Sequence, residues 1–172
     1  AVDQISPSFT FYIIQDAAEA HGALYCGQDV GAQGDVSIFS FHANKAISTG
    51  EGGCVMTDDE ALAAKMRLIA NHGMSAPYWH DGVGSNYRMS NLVAAVGCGQ
   101  VKRWDELLRC RGEVARWYES MLPRYVDRRP YYGWAKPVCW LFPVLVDHQR
   151  GLVAALQARG IDARALWQPL PE

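Results

Sequence analysis

Ser40-Phe41-His42-Ala43-Asn44-Lys45-Ala46-Ile47-Ser48-Thr49-Gly50-Glu51-Gly52-Gly53 decides how this chain is read. A short apolar run, Val36 to Phe39, precedes it and another, Cys54 to Met56, follows. The pattern predicts two strands joined by a loop that carries one lysine, with hydroxyl and amide side chains before it and glycines after it. Glycine lets backbone approach a ligand closely and take positive φ. An amine sheltered beside apolar strands can add to a carbonyl carbon. The alternative for Lys45 is a solvated loop lysine, the usual fate of that residue type.

What tips the balance lies upstream. Phe11 to Ile14 reads as a buried strand followed by Gln15 and Asp16. Ligands of open α/β sheets bind beyond the carboxyl ends of the strands, where Asp16 would stand. Asp16 to Gly22 looks like a short helical start, so an N-cap role for Asp16 is equally open.

The chain has 172 residues, of which 49% are hydrophobic and 20% charged, enough for a globular core. A net charge of -2 provides no basic field, which argues against nucleic acid as a partner. No apolar run approaches the ~20 residues a bilayer crossing needs. Cys26, Cys54, Cys98, Cys110 and Cys139 are odd in number, widely spaced and without a Cys-x-x-Cys pair. They read as reduced thiols in a cytoplasmic setting, each a small core hydrophobe, with no metal site. There is no basic-apolar leader and no initial Met, and the chain reads as a fragment.

In order, Val36 to Ser40 and Gly53 to Thr57 are expected strands. Asp58 or Asp59 caps a helix to about Asn71, with Leu62, Met66 and Ile69 on one face and His72-Gly73 at its end. Met74 to Met89 lacks periodicity and is rich in aromatics, which predicts an ordered surface loop. Ser90 caps a long helix from Asn91 to about Leu107, in which Gly97 and Gly99 imply close packing against a neighbour. Arg109 to Leu122 is a further helix stopped by Pro123, and Asp127 to Lys136 a joint. Cys139 to Val146 reads as a strand, Arg150 to Arg159 as a helix ended by Gly160, and Ile161 to Leu166 as extended. The division expected is therefore 1–126 and 127–172, the second part the start of a smaller α/β domain.

Three motifs now stand in order: Asp16-Ala-Ala-Glu-Ala-His-Gly-Ala23, Phe39-Ser-Phe-x-x-x-Lys45-x-x-x-Thr-Gly-Glu-Gly-Gly53, and Asn86-Tyr-Arg-Met-Ser-Asn91. Together they resemble the DegT/DnrJ/StrS family of nucleotide-sugar aminotransferases that use pyridoxal 5'-phosphate. The resemblance runs from about Tyr12 through Pro169. The Tyr78-Trp79-His80-Asp81 run leading to Gly84-x-Asn86-Tyr87-Arg88-Met89 is most similar to the perosamine-synthase branch.

The resemblance implies an α/β, aspartate-aminotransferase-like fold (fold type I). Here it would comprise the C-terminal part of the large domain and the start of the small one. It implies that Lys45 carries the cofactor and moves protons. Asp16 would face the pyridine nitrogen, where a carboxylate favours the protonated ring. Glu19 would approach the ring hydroxyl side, although many relatives have glutamine there. Ser40 would bond the phosphate. Asn86 would reach the phosphate held by the other subunit of a homodimer. Arg88 could meet an anionic donor or nucleotide, with a structural ion pair the even alternative. Tyr78 to Asp81, His80 among them, could shape the sugar pocket or form a plain interface loop. His42 reads as a packing residue. The implied reaction aminates a nucleotide-linked 4-keto-6-deoxy sugar, with glutamate as the usual donor, in O-antigen and lipopolysaccharide synthesis.

There are departures. The glycine–threonine phosphate turn and the stacking aromatic of relatives lie upstream of Ala1. Pro171 stands where relatives have histidine, and Ala1 to Phe9 match poorly. The 172-residue chain alone is thus expected to bind cofactor weakly or not at all. One branch of the family replaces the lysine with histidine, and Lys45 argues against it. Two other readings remain: a non-catalytic or regulatory relative, and an unrelated lysine-imine enzyme such as a desulfurase. The latter would want a cysteine in a flexible loop, which none of the five provides.

Overall fold

A computed structural model describes residues 11–122 and 132–167. Pro123, the first part of the 127–136 joint, Ala1 to Phe9, Pro169 and Pro171 lie outside the described residues. Contacts divide the chain into two compact units. Among the described residues the first comprises 11–112 with 132–140, and the second 113–122 with 141–167.

The first unit is built on a three-stranded sheet in the order β1 (Ile14–Asp16), β4 (Val36–Ser40), β5 (Gly53–Met56). β1 runs parallel to β4, with Asp16 opposite Ile38, and β4 runs antiparallel to β5, with Ser40 opposite Gly53. The strand expected over Phe11 to Ile14 lies later, at Ile14–Asp16, and it is not buried: Tyr12 is 82% and Ile14 69% exposed. Among the described residues β1 is an edge of this sheet, paired with β4 alone. The helical start expected over Asp16 to Gly22 is absent. Ala20 N–H donates to Ala17 and Ala23 N–H to Ala20, closing two successive turns that feed β2 (Leu24–Tyr25).

β2 pairs with β3 (Gln28–Asp29) through a two-residue loop, Cys26-Gly27, whose φ values are 50° and 80°. Two positive φ angles are what a type I′ turn requires. The other edge of β2 pairs with β8 (Ala135–Lys136).

α1 (Glu60–Ala70) begins at Asp59, whose side chain accepts from Leu62 N–H at 3.0 Å. It ends where His72 and Gly73 take positive φ, and Gly73 N–H donates back to Leu68. The aromatic stretch that follows is ordered as a hairpin, β6 (Met74–Ala76) with β7 (Trp79–His80). α2 (Asn91–Val101) starts at Ser90, whose hydroxyl accepts from Val93 N–H.

The long helix expected to reach Leu107 stops at Lys102, and α3 (Trp104–Met121) begins two residues later. Asp105 and Glu106 in the first turn of α3 suit the positive end of a helix, a start signal inside the expected helix. Gly97 does pack closely: a Cβ there would meet Thr49 Cγ2 at 3.1 Å. Gly99 has open space instead.

In the second unit Ala115 is buried, and Tyr118 of α3 stacks on Phe142 at 4.9 Å. The strand expected over Cys139 to Val146 does not form among the described residues; Leu145 is the one position of that segment in a strand bridge. Burial still alternates from Leu141 to Val146. The period-2 pattern is genuine, and what is missing is a ladder partner among the described residues. α4 (Gln149–Gln157) is stopped at Gly160, φ 74°, as its sequence indicates. Residues 161–167 run without a ladder.

Candidate active site

Parallel pairing of β1 and β4 places their carboxyl ends side by side. Asp16 closes β1, and Ser40 closes β4. The turn after β1 carries Glu19 and the loop after β4 carries Lys45. The loop is tethered at both feet: Phe41 N–H donates to Gly52 at 2.8 Å, and Thr49 N–H to Phe41 at 2.9 Å. Its floor is Ala46 and Ile47, 5% and 0% exposed.

Lys45 is no solvated loop lysine. Its side chain is 11% exposed, and Nζ donates to Glu19 Oε1 at 3.0 Å. Nζ also lies 3.9 Å from the centre of the Trp140 ring, within cation–π range. The Lys45 main-chain carbonyl accepts from Arg111 Nη2 at 2.9 Å, and the Trp140 carbonyl from Arg111 Nη1 at 3.3 Å.

Behind the lysine sits His21, 1% exposed, among the rings of Phe39, Phe41 and Trp104 at 5.5, 5.9 and 6.1 Å. Burial pushes the His21 imidazole below its ordinary 6.5, and the positive charges of Lys45 and Arg111 press the same way. Its Nε2 is buried without a hydrogen-bond partner among the described residues. His21, Arg111 and Trp140 are the site residues that sequence reasoning missed. His21 stands inside the first motif, five residues past Asp16, so a signal for it existed. Arg111 and Trp140 carry none, because only folding brings positions 45, 111 and 140 together.

Asp16 Oδ1 accepts from Ala18 N–H at 3.1 Å, so the carboxylate orders the turn rather than capping a helix. Ser40 Oγ accepts from His42 N–H at 3.3 Å. His42 is exposed, not packed; Nδ1 bonds Asn44 Oδ1 at 3.0 Å, and Nε2 lies 3.7 Å from Glu51.

Asn86, Arg88 and His80 gather elsewhere, around the end of α1. Asn86 bridges Asn71, His80 Nδ1 donates to the His72 carbonyl at 2.7 Å, and Arg88 lines an open depression with Arg67, Asn71 and Ser75. All three are exposed, and among the described residues Lys45 bonds Glu19 and Arg111 rather than any of them. Their stretch does touch the glycine end of the lysine loop. A Cβ on Gly52, φ 127°, would meet Met89 Cε at 3.0 Å, so that contact depends on glycine. The cysteines are not core hydrophobes: Cys26, Cys98 and Cys110 are exposed, and Cys54 and Cys139 half-buried. Burial raises the Cys54 thiol.

The family model of the DegT/DnrJ/EryC1/StrS aminotransferases matches residues 1–172, the first nine included. The chain belongs to that family. It is similar to GDP-perosamine synthase of Caulobacter vibrioides, 40% identical over 97% of this chain and 48% of the relative. It is also similar to UDP-4-amino-4,6-dideoxy-N-acetyl-beta-L-altrosamine transaminase of Campylobacter jejuni, 32% identical over 99% of this chain and 48% of the relative. Among solved structures it is similar to the PLP-form of the sugar aminotransferase Spr1654 from Streptococcus pneumoniae. There the TM-score is 0.85 at 25% identity, over 93% of this chain and 45% of the other. The chain spans about half the length of the curated relatives it matches. Its α/β fold is that of these fold type I aminotransferases. Among the described residues no helix is long and apolar enough to cross a membrane.

Proposed function

We propose that the complete protein is a pyridoxal-phosphate-dependent aminotransferase acting on a nucleotide-linked 4-keto-6-deoxy sugar, with glutamate as amino donor. One observation carries the reading: a shielded lysine amine lies against a carboxylate at the paired ends of two parallel strands. The donor set suits the cofactor. Lys45 offers an amine for its aldehyde, Asp16 a carboxylate for its ring nitrogen, and Ser40 a hydroxyl for its phosphate. Glu19 and, from a second subunit, Asn86 complete the set.

Pyridoxal 5'-phosphate, when bound, supplies an electron sink for carbanion chemistry. The chain's own residues do the rest. Lys45 Nζ accepts and returns a proton, a task for a positioned amine. Glu19 Oε1 holds that amine in place. The Asp16 carboxylate favours a proton on the partner it faces. The Trp140 ring limits water at Nζ.

In this reading 1–126 belong to the large cofactor-binding domain and 127–172 to the start of the small one. The protein works as a cytoplasmic homodimer, with Arg88 and His80 toward the substrate and the product destined for O-antigen. The Caulobacter relative's name favours GDP over UDP as the nucleotide.

The test is absorbance of the complete protein with bound cofactor, before and after glutamate. Loss of the band near the visible edge, and its absence in Lys45→Arg, is expected. Turnover with a GDP-linked 4-keto-6-deoxy sugar should exceed that with the UDP analogue. A protein with no band, or one indifferent to glutamate, would be a binding relative instead.

A further inference from the structure

We infer that Arg111 and Trp140 form a brace that positions the Lys45 amine, and that both are positioning residues of this site. The inference rests on the reading of Lys45 given above. Arg111 lies on α3, 66 positions from Lys45 and 29 from Trp140. Its guanidinium donates from Nη2 to the Lys45 carbonyl at 2.9 Å and from Nη1 to the Trp140 carbonyl at 3.3 Å. A planar fork with donors in fixed directions can hold two carbonyls at once; an ammonium has no such fork. The two backbones so joined are the ones that set Nζ 3.9 Å from the Trp140 ring centre.

Each part has a separate task. Arg111 fixes where the Lys45 main chain stands, since a loop carbonyl without a ladder partner needs a donor from elsewhere. Trp140 covers the amine with a ring face 3.9 Å from Nζ, and that face attracts the ammonium form. Glu19 alone is a weak anchor because its own side chain is 45% exposed. With its backbone held by Arg111 and the amine itself held by Glu19 and Trp140, Nζ has a defined position, and a reacting amine displaced by an ångström loses much of its rate.

The experiment uses the complete protein stripped of cofactor, so it needs neither turnover nor substrate. Dilute acetic anhydride is added, and acetylation of Lys45 is followed by mass spectrometry. The exposed Lys65 and Lys102 serve as internal references. Trp140→Ala should raise the Lys45 rate at least fivefold and leave the references unchanged. Trp140→Phe should stay within twofold of the parent, because a ring still covers Nζ. R111K should raise the rate as Trp140→Ala does. Loaded with cofactor, Trp140→Ala should lose at least tenfold in kcat while KM for the sugar moves less than threefold. A Lys45 rate within twofold of the parent in Trp140→Ala overturns the inference. The same result in R111K alone removes Arg111 from it. If R111K does not fold, the Trp140 pair decides. Shielding without any transamination would defeat the proposed function and leave the brace standing.

Discussion

At the scale of the residue, His21 shows how burial becomes pH dependence. Its folded-state pKa lies below the ordinary 6.5, first through desolvation, then through Lys45 and Arg111. Below 6.5 the unfolded chain therefore binds a proton that the folded chain refuses. Stability contributed by neutral His21 is complete above 6.5 and drains away as pH falls toward the lowered folded value. His21→Gln removes this term. The thermal midpoint of the complete protein should drop less for the variant than for the parent between pH 7.5 and pH 5. Parallel curves would show that His21 does not titrate in that window. The motif around His21 was legible, but the aromatic box was not: Phe39 and Phe41 are neighbours in the chain, whereas Trp104 arrives only by folding. For Lys45 and Glu19, ordered motifs located both residues. The ion pair between them is a product of three dimensions.

At the scale of the element, success followed local signals. β4 and β5 are short apolar runs, and α1 has Asp59 before it and Gly73 after it. The break between α2 and α3 was missed because the apolar period runs through it, while Asp105 and Glu106 speak only softly for a new start. The hairpin β2–β3 was missed because Cys-Gly is a rare spelling of a turn usually written Asn-Gly. Cys26 holds φ 50° there, a conformation that asparagine tolerates better. Cys26→Asn should stabilise the complete protein by on the order of 0.5 kcal/mol, comparable to other changes that fit a turn residue to its backbone. A denaturant midpoint that stays put or falls would count against the assigned turn. The 139–146 segment has the burial alternation of a strand, and periodicity alone could not reveal that no ladder forms on it among the described residues.

At the scale of the whole molecule, much apolar surface faces outward. Tyr78 is 94% exposed, Val83 96%, Tyr87 76% and Leu92 80%, all from the β6–β7 hairpin to the first turn of α2. Side chains of this kind exposed along one stretch suit a surface that is covered in the complete protein. This supports the proposed homodimer, in which Asn86 from the same stretch would serve the other subunit. Leu92→Glu in the complete protein should halve the mass seen by sedimentation and, with it, abolish turnover. A variant that stayed dimeric would place the subunit contact elsewhere. The aromatic richness of this stretch was visible in the sequence. Which way the rings face was not, since a loop without periodicity has no inner side to read.

The double tether of the 41–52 loop has a consequence for how the protein meets proteases. The peptide bond after Lys45 is one that trypsin-like enzymes prefer by its chemistry. Yet cleavage needs a locally opened stretch of backbone, and Ala46 and Ile47 are sealed beneath. Hydrolysis there must wait for Phe41–Gly52 and Ser40–Gly53 to separate. The scissile bond at Lys45 is thereby a clock for fraying of the β4–β5 pair at its loop end, in a place that looks in the sequence like an invitation to be cut.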